Sequence, residues 1–204
     1  MPAVAASIHR VTRHALGHRE PDEAMTDDQL VEQVRAGNTA AFGELVERHR
    51  GAVYRAAFAA LGNDADAEEI AQEALVLSYE RIEQFRGEAT VRTWMISIAW
   101  RLSLSRRRRL WWKVNRTSAQ ETELHSLRDV TPSPEARMQS AQFIRRVQLE
   151  IRRLPPKLRD ALLLASAGDL TQDEIAAALN IPAATFRGRI RDARLRLKAR
   201  LEGA

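Results

Sequence analysis

The sequence predicts an all-α protein of two small helical domains joined by a flexible linker, the C-terminal one a helix-turn-helix. Three observations predict it. The 204 residues are 45% hydrophobic but only 5% aromatic, with 9 Gly and 7 Pro, and Ala, Leu, Arg and Glu dominate. Apolar residues recur at steps of three and four, and no stretch alternates as a strand would. One polar stretch, residues 113–133, loses all periodicity and runs into Thr131-Pro132-Ser133-Pro134.

Residues 1–25 read as a disordered N-terminal extension. They are basic at first but lack the continuous apolar core of a secretory signal. His9, His14 and His18 cluster there without completing a metal site. Order begins at Thr26, which with Gln29 forms a capping box. The helix it opens carries Leu30, Val31 and Val34 and ends at Gly37. A longer helix places Phe42, Leu45, Val46, Val53, Ala57 and Leu61 inward and stops at Gly62. Asn63 or Asp64 caps the next, whose inner side is Ile70, Ala74 and Leu77. Asp66, Glu68 and Glu69 sit in its first turns, where carboxylates suit the positive end of the helix dipole. Phe85-Arg86-Gly87-Glu88-Ala89-Thr90 reads as a loop. A fourth helix is expected over residues 91–110, with Val91, Trp94, Met95, Ile98, Ala99 and Leu102 as its stripe and Arg106 to Arg109 as a basic tail. Residues 26–112 thus make the first domain.

The second domain spans residues 134–204. Ser133 caps its first helix, with Pro134 in the first turn. Phe143, Val147, Ile151 and Leu154 recur at helical steps and are expected to face inward. Pro155-Pro156 breaks the chain, and Leu158, Ala161, Leu162 and Ala165 form the next helix, ended by Gly168. Thr171 and Glu174 make a second capping box. Ile175 and Leu179 share a face, Asn180 suits a left-handed cap, and Pro182 precedes the last helix. There Phe186, Ile190, Ala193, Leu197 and Leu201 form the buried stripe, which leaves Arg187, Arg191 and Arg194 facing solvent. A short helix, a tight turn and a second helix with arginines near its start is the shape that enters a DNA major groove.

The net charge is +5 at pH 7, and its distribution says more than its size. Residues 101–113 hold six bases and no acid, and residues 187–200 hold seven bases against Asp192. Residues 64–73 hold five acids and no base. Two basic patches and one acidic patch suit more than one partner. With no cysteine, thiol catalysis and cysteine-ligated zinc are excluded, and a reducing cytoplasm is the expected location. No apolar run approaches the ~20 residues of a membrane span. No cofactor or metal site is read from the chain.

Residues 64–75, Asp-Ala-Asp-Ala-Glu-Glu-Ile-Ala-Gln-Glu-Ala-Leu, together with Phe85-Arg86-Gly87, residues 91–99, residues 154–159 and residues 170–176, resemble the conserved segments of bacterial RNA polymerase sigma factors. The resemblance is to the small two-domain, extracytoplasmic-function type of the sigma-70 family. It implies a non-catalytic initiation subunit that binds core RNA polymerase, recognises the −35 and −10 promoter elements and promotes open-complex formation. On this resemblance Asp66, Glu69, Gln72 and Glu73 grip the largest catalytic subunits. Phe85, Arg86, Gly87 and Arg92 receive the −10 bases, and Arg106, Arg107 and Arg108 lie on adjoining phosphates. Thr185, Arg187, Gly188, Arg189, Arg191 and Arg194 meet the −35 element. An anti-sigma factor is the further implied partner. Departures exist: Trp100 and Arg101 stand where the family favours Asn, and Leu102-Ser103-Leu104-Ser105 where an Asp often precedes the basic tail. Taken without the resemblance, the C-terminal half alone also fits a stand-alone helix-turn-helix regulator not acting through core polymerase. A nucleic-acid enzyme would need clustered carboxylates or a nucleophile, and the only dense acids, Glu68, Glu69 and Glu73, are explained by a helix N-terminus.

Overall fold

Local sequence sets where each helix begins and ends. The computed structural model describes residues 25–116 and 134–202. In them α1 spans Asp27–Arg35, α2 Thr39–Leu61, α3 Asp64–Glu80 and α4 Val91–Arg116, with one 3-10 turn at Ile82–Gln84 before α4. The C-terminal half holds α5 Pro134–Arg152, α6 Pro156–Ala165, α7 Gln172–Ala178 and α8 Ala183–Glu202. Both capping boxes form, Thr26 with Gln29 on α1 and Thr171 with Glu174 on α7. Asn63, not Asp64, caps α3. Asn180 takes the left-handed backbone expected of it, with φ 52°. The readings for residues 1–24, for Ser133 and for residues 117–133 lie outside the described residues.

The N-terminal half builds its own core. Leu30, Val31 and Val34 of α1, Leu45 and Val53 of α2, Ala71 and Ala74 of α3, and Val91, Met95, Ile98 and Ala99 of α4 form one buried cluster. Each fully buried Leu or Met there contributes about 1.5–3 kcal/mol. His49, which has no place in an apolar stripe, is buried beside them, and its Nε2 is hydrogen-bonded to the Asp27 carboxylate at 2.7 Å.

Two expectations fail. The fourth helix does not end near Leu110 but continues to Arg116, into the stretch read as linker. The expected inner stripe of α5 is inward only at its end. Leu154 is buried, but Phe143 is 60% exposed. Here α5 rests chiefly on α8, and a single neighbouring helix covers only a narrow strip.

The two halves are not separate in space. A second cluster joins Ala52, Ala56 and Ala60 of α2 and Ile96 and Trp100 of α4 to Ala161 and Leu164 of α6, Ile175 of α7 and Phe186 of α8. Ala52, Ala56 and Ala60 follow at steps of four, a ridge of small side chains that lets another helix approach closely. Arg55 rises beside that ridge and donates to the Ala167 carbonyl at 3.2 Å and to Asp169 at 3.1 Å. Gly168 sits under it with φ +99°, which favours glycine, and a Cβ there would lie 3.2 Å from Arg55 Nε, so the Arg55 side chain would have to shift.

Candidate nucleic-acid interface

The first residues of α8 form an open surface. Phe186 and Ala193 anchor the helix against the core and fix its rotation. That rotation leaves Thr185, Arg187, Arg191 and Arg194 exposed, with Gly188 and Arg189 half-buried between them. Arg187, Arg189 and Arg194 make no ion pair or hydrogen bond among the described residues, and Arg191 meets only its neighbour Asp192, at 3.4 Å. A Cβ on Gly188 would meet nothing within 4 Å, so packing does not call for glycine. The result is a cationic helix face with its hydrogen-bond donors free, suited to guanine edges and phosphates.

The corresponding groups of the N-terminal half are differently placed. The loop after the 3-10 turn is pinned by Arg35, which donates to the carbonyls of Ile82 and Phe85. Phe85 is buried, its ring 5.4 Å from that of Trp94. Arg86 and Gly87 are exposed at the tip. Between loop and helix lies a cleft of about 230 Å³ lined by Gln84 to Arg86, Glu88, Ala89, Thr93, Trp94 and Ser97. One wall comes from the other half, from Ala177 of α7. Arg92 points across the same junction and donates to Glu174 at 2.7 Å and to the Asp169 carbonyl at 3.2 Å. Burial works to raise the Glu174 carboxyl, but hydrogen bonds from Thr171 and the charge of Arg92 hold it below the usual carboxylate range.

The basic tail is divided. Arg106 is held by Asp66, at 2.9 Å, and by Glu69. Arg107 bonds to Asp160 of α6. Only Arg108 among the three is exposed and unpaired. Two residues expected to grip the polymerase are therefore bonded to one expected to lie on DNA. Asp66 is half-buried, and the Asn63 amide, then Arg106, hold its carboxyl low against the opposing effect of burial. Glu69, Gln72 and Glu73 are exposed along α3. Val76 and Tyr79 extend the same face and are 58% and 42% exposed. No motif marks either of them, although Val76 follows Glu69, and Tyr79 follows Gln72, at the seven-residue step that keeps one helix face. No motif marks Arg55 or Asp169 either, and these join the halves.

Comparison with known proteins now bears on these surfaces. Residues 45–113 match Sigma-70 region 2, and residues 144–197 match Sigma-70, region 4. The ECF RNA polymerase sigma factor SigW of Bacillus subtilis is 30% identical over 84% of this chain and 94% of its own length. The chain belongs to the extracytoplasmic-function sigma factors. The RNA polymerase sigma-H factor of Pseudomonas aeruginosa is 31% identical over 82% of this chain and 90% of its own, and the ECF RNA polymerase sigma-E factor of Escherichia coli is 32% identical over 84% and 92%. Among solved structures, CnrH in complex with the cytosolic domain of CnrY is 26% identical, covers 87% of this chain and 97% of its own, and has a TM-score of 0.58. RpoE of Bartonella quintana, solved with the anti-sigma factor NepR, shares the fold at 17% identity, 79% and 96% coverage and a TM-score of 0.58. In this sigma factor the loop at residues 85–90, Arg92 and the acidic face of α3 thus fall in region 2, and α7 with the arginines of α8 in region 4. The bonds from Arg55, Arg92 and Arg107 tie region 2 to region 4.

Proposed function

We propose that this sigma factor divides its work as its two regions divide. Residues 26–112 bind core RNA polymerase through Glu69, Gln72 and Glu73, with Asp66 behind them, and hold the −10 element through the loop at residues 85–90 and Arg92. Residues 134–204 read the −35 element through Thr185, Arg187, Gly188, Arg189, Arg191 and Arg194. Residues 113–133 connect them, and residues 1–25 are an extension of no assigned role. The observation that carries this reading is the unpaired arginine face at the start of α8. Such a face, in a chain that also holds region 2, belongs to promoter recognition by a polymerase-bound subunit. The protein acts without a catalytic step of its own. Strand opening draws on binding energy, since unpaired bases held on aromatic and cationic groups gain ~1–3 kcal/mol each.

The cleft beside Trp94 supports a base-receiving role for the loop, because a base lifted from the duplex needs a pocket. With Ala177 forming one wall of the cleft and Arg92 tied to Glu174, Arg92 is released for DNA only when α7 moves away. We therefore read the packed halves as the free protein, which opens on the polymerase. An anti-sigma factor is a further proposed partner, supported by the similar sigma factor RpoE, solved with the anti-sigma factor NepR, and by CnrH, solved with the cytosolic domain of CnrY. The place of action is the cytoplasm, where polymerase and DNA are. No helix among the described residues is long and apolar enough to cross a membrane.

The test is transcription from a promoter template by purified core polymerase. Specific transcripts that appear only with the protein added are the expected result. DNA binding with no polymerase association would instead favour a stand-alone helix-turn-helix regulator. Gln72→Ala with Glu73→Ala should weaken co-sedimentation with core polymerase, and unchanged co-sedimentation would remove the docking face from α3.

A further inference from the structure

Where α4 crosses the start of α6, the junction of the halves leaves a groove of about 680 Å³, within the range of small-molecule sites. Its charge is one-sided. Arg101, Arg107 and Arg108 come from α4 and Arg159 from α6, against the single carboxylate of Asp160. Asp160 is already bonded to Arg107. Arg159 finds only the Arg152 carbonyl, at 3.1 Å, and Arg101 only Ser97 of its own helix. Arg108 has no partner among the described residues. Among the described residues two donors go unmet, because Nη1 of Arg107 and Nε of Arg159 are buried there without an acceptor. Burial and the like charge of Arg107 both work against the charged form of Arg159. Folding has thus gathered cations here beyond what the acceptors of the described residues satisfy, and a buried unmet donor is costly. Leu104 and Pro156 give the groove an apolar wall between the guanidiniums.

We propose that this groove is a binding site for a phosphorylated small molecule of nucleotide size, its phosphates on the arginines of α4 and α6 and its apolar part on Leu104 and Pro156. Guanidinium and phosphate match in shape and charge, and such bonds are about twice as strong as neutral ones. Because the site is made from both halves, a ligand there favours the packed arrangement over the parted one by mass action. The inference goes beyond promoter recognition and does not depend on it.

The experiment is calorimetric titration of the full chain with ATP in the absence of divalent metal. One saturable site is expected. Arg159→Met should weaken it by about tenfold or more, the loss of one charge-assisted partner. Arg50→Met removes the same charge from a position outside the groove and should leave affinity within about twofold. The melting temperature of the free Arg159→Met variant should hold or rise, since an ill-satisfied cation is removed, whereas a merely structural arginine would lower it. Three results would overturn the proposal: no saturable binding at millimolar ATP, equal weakening by Arg50→Met, or a site that takes a non-promoter DNA duplex but not ATP.

Discussion

Three arginines of α8 and three of region 2, all read as facing DNA, are unlike in state. Arg187, Arg189 and Arg194 stand free, whereas Arg92, Arg106 and Arg107 are each bonded to a carboxylate. The difference shows what each surface must do before it can meet a phosphate or a base. The α8 face needs no rearrangement. For Arg92, Arg106 and Arg107 of region 2 a bond must first be given up, and for Arg92 and Arg107 that bond is to the other half of the protein. Ion pairs with partly exposed partners contribute about 0–1 kcal/mol each, so they bias the arrangement without locking it. The apolar cluster shared by the halves holds them together more strongly than these pairs do.

Removing that cluster is the strongest way to break the comparison. Trp100 is buried between region 2 and region 4 and is one of the largest side chains so placed. Trp100→Ala should lower stability by about 3–5 kcal/mol and expose the junction to protease. Chemical denaturation with limited proteolysis checks both. A loss under about 1 kcal/mol, the level of an ordinary surface change, would mean that the halves are not packed in solution.

The next effect falls on the free face. Arg187→Ala should weaken binding to a −35 element by about 1–3 kcal/mol, the value of one good base contact, and leave association with core polymerase intact. Arg92→Ala should show the opposite pattern, with duplex binding to the −35 element unchanged and open-complex yield reduced. Gel-shift and permanganate footprinting separate the two. Equal losses in both assays for either variant would erase the contrast between the surfaces.

How much of this is legible in the sequence depends on range along the chain. Caps and stops are local chemistry, so Thr26, Gly62, Thr171 and Asn180 disclose the helix limits directly. The free α8 arginines are legible too, because a strong stripe from Phe186 to Leu201 fixes what faces out. Contacts between the halves are not, since their bonds pair residues from 53 to 114 positions apart and no periodicity reports a partner. A signal is nonetheless present. Ile96 and Trp100 lie off the expected stripe of α4 and are buried all the same, so this helix has two apolar faces. A helix apolar on two faces has two neighbours to cover. The end of α4 is hidden in another way, because no Gly or Pro falls between Leu110 and Arg116 to mark a stop.

A smaller effect comes from Glu174, which serves both halves at once. Its carboxylate closes the capping box of α7 and receives Arg92. Glu174→Ala loses both and should cost about 1–2 kcal/mol. Glu174→Gln keeps the cap and loses only the charge pair. Its pH dependence follows from its lowered pKa. The folded carboxyl holds its proton less readily than the unfolded one, so its contribution is present above the ordinary value of about 4.3 and fades as pH falls through the lower folded value. Stability of wild type and Glu174→Ala should therefore converge as the solution is acidified below about pH 4. Curves that stay parallel to the acid limit would show that the carboxylate does not hold the junction.

The finest distinction lies at Gly188, where structure and recognition ask for different things. Glycine inside a helix costs about 0.5–1 kcal/mol relative to alanine. The structure offers no compensation, because a side chain there would enter open space and no unusual backbone angle requires glycine. Gly188→Ala should therefore raise the melting temperature slightly. If the position exists to let the helix backbone come close to DNA, the same change should weaken −35 binding severalfold while leaving polymerase association untouched. A variant that is both more stable and equally tight on DNA would show that α8 reads its element through the arginines alone, and would narrow the free surface to Arg187, Arg191 and their neighbours.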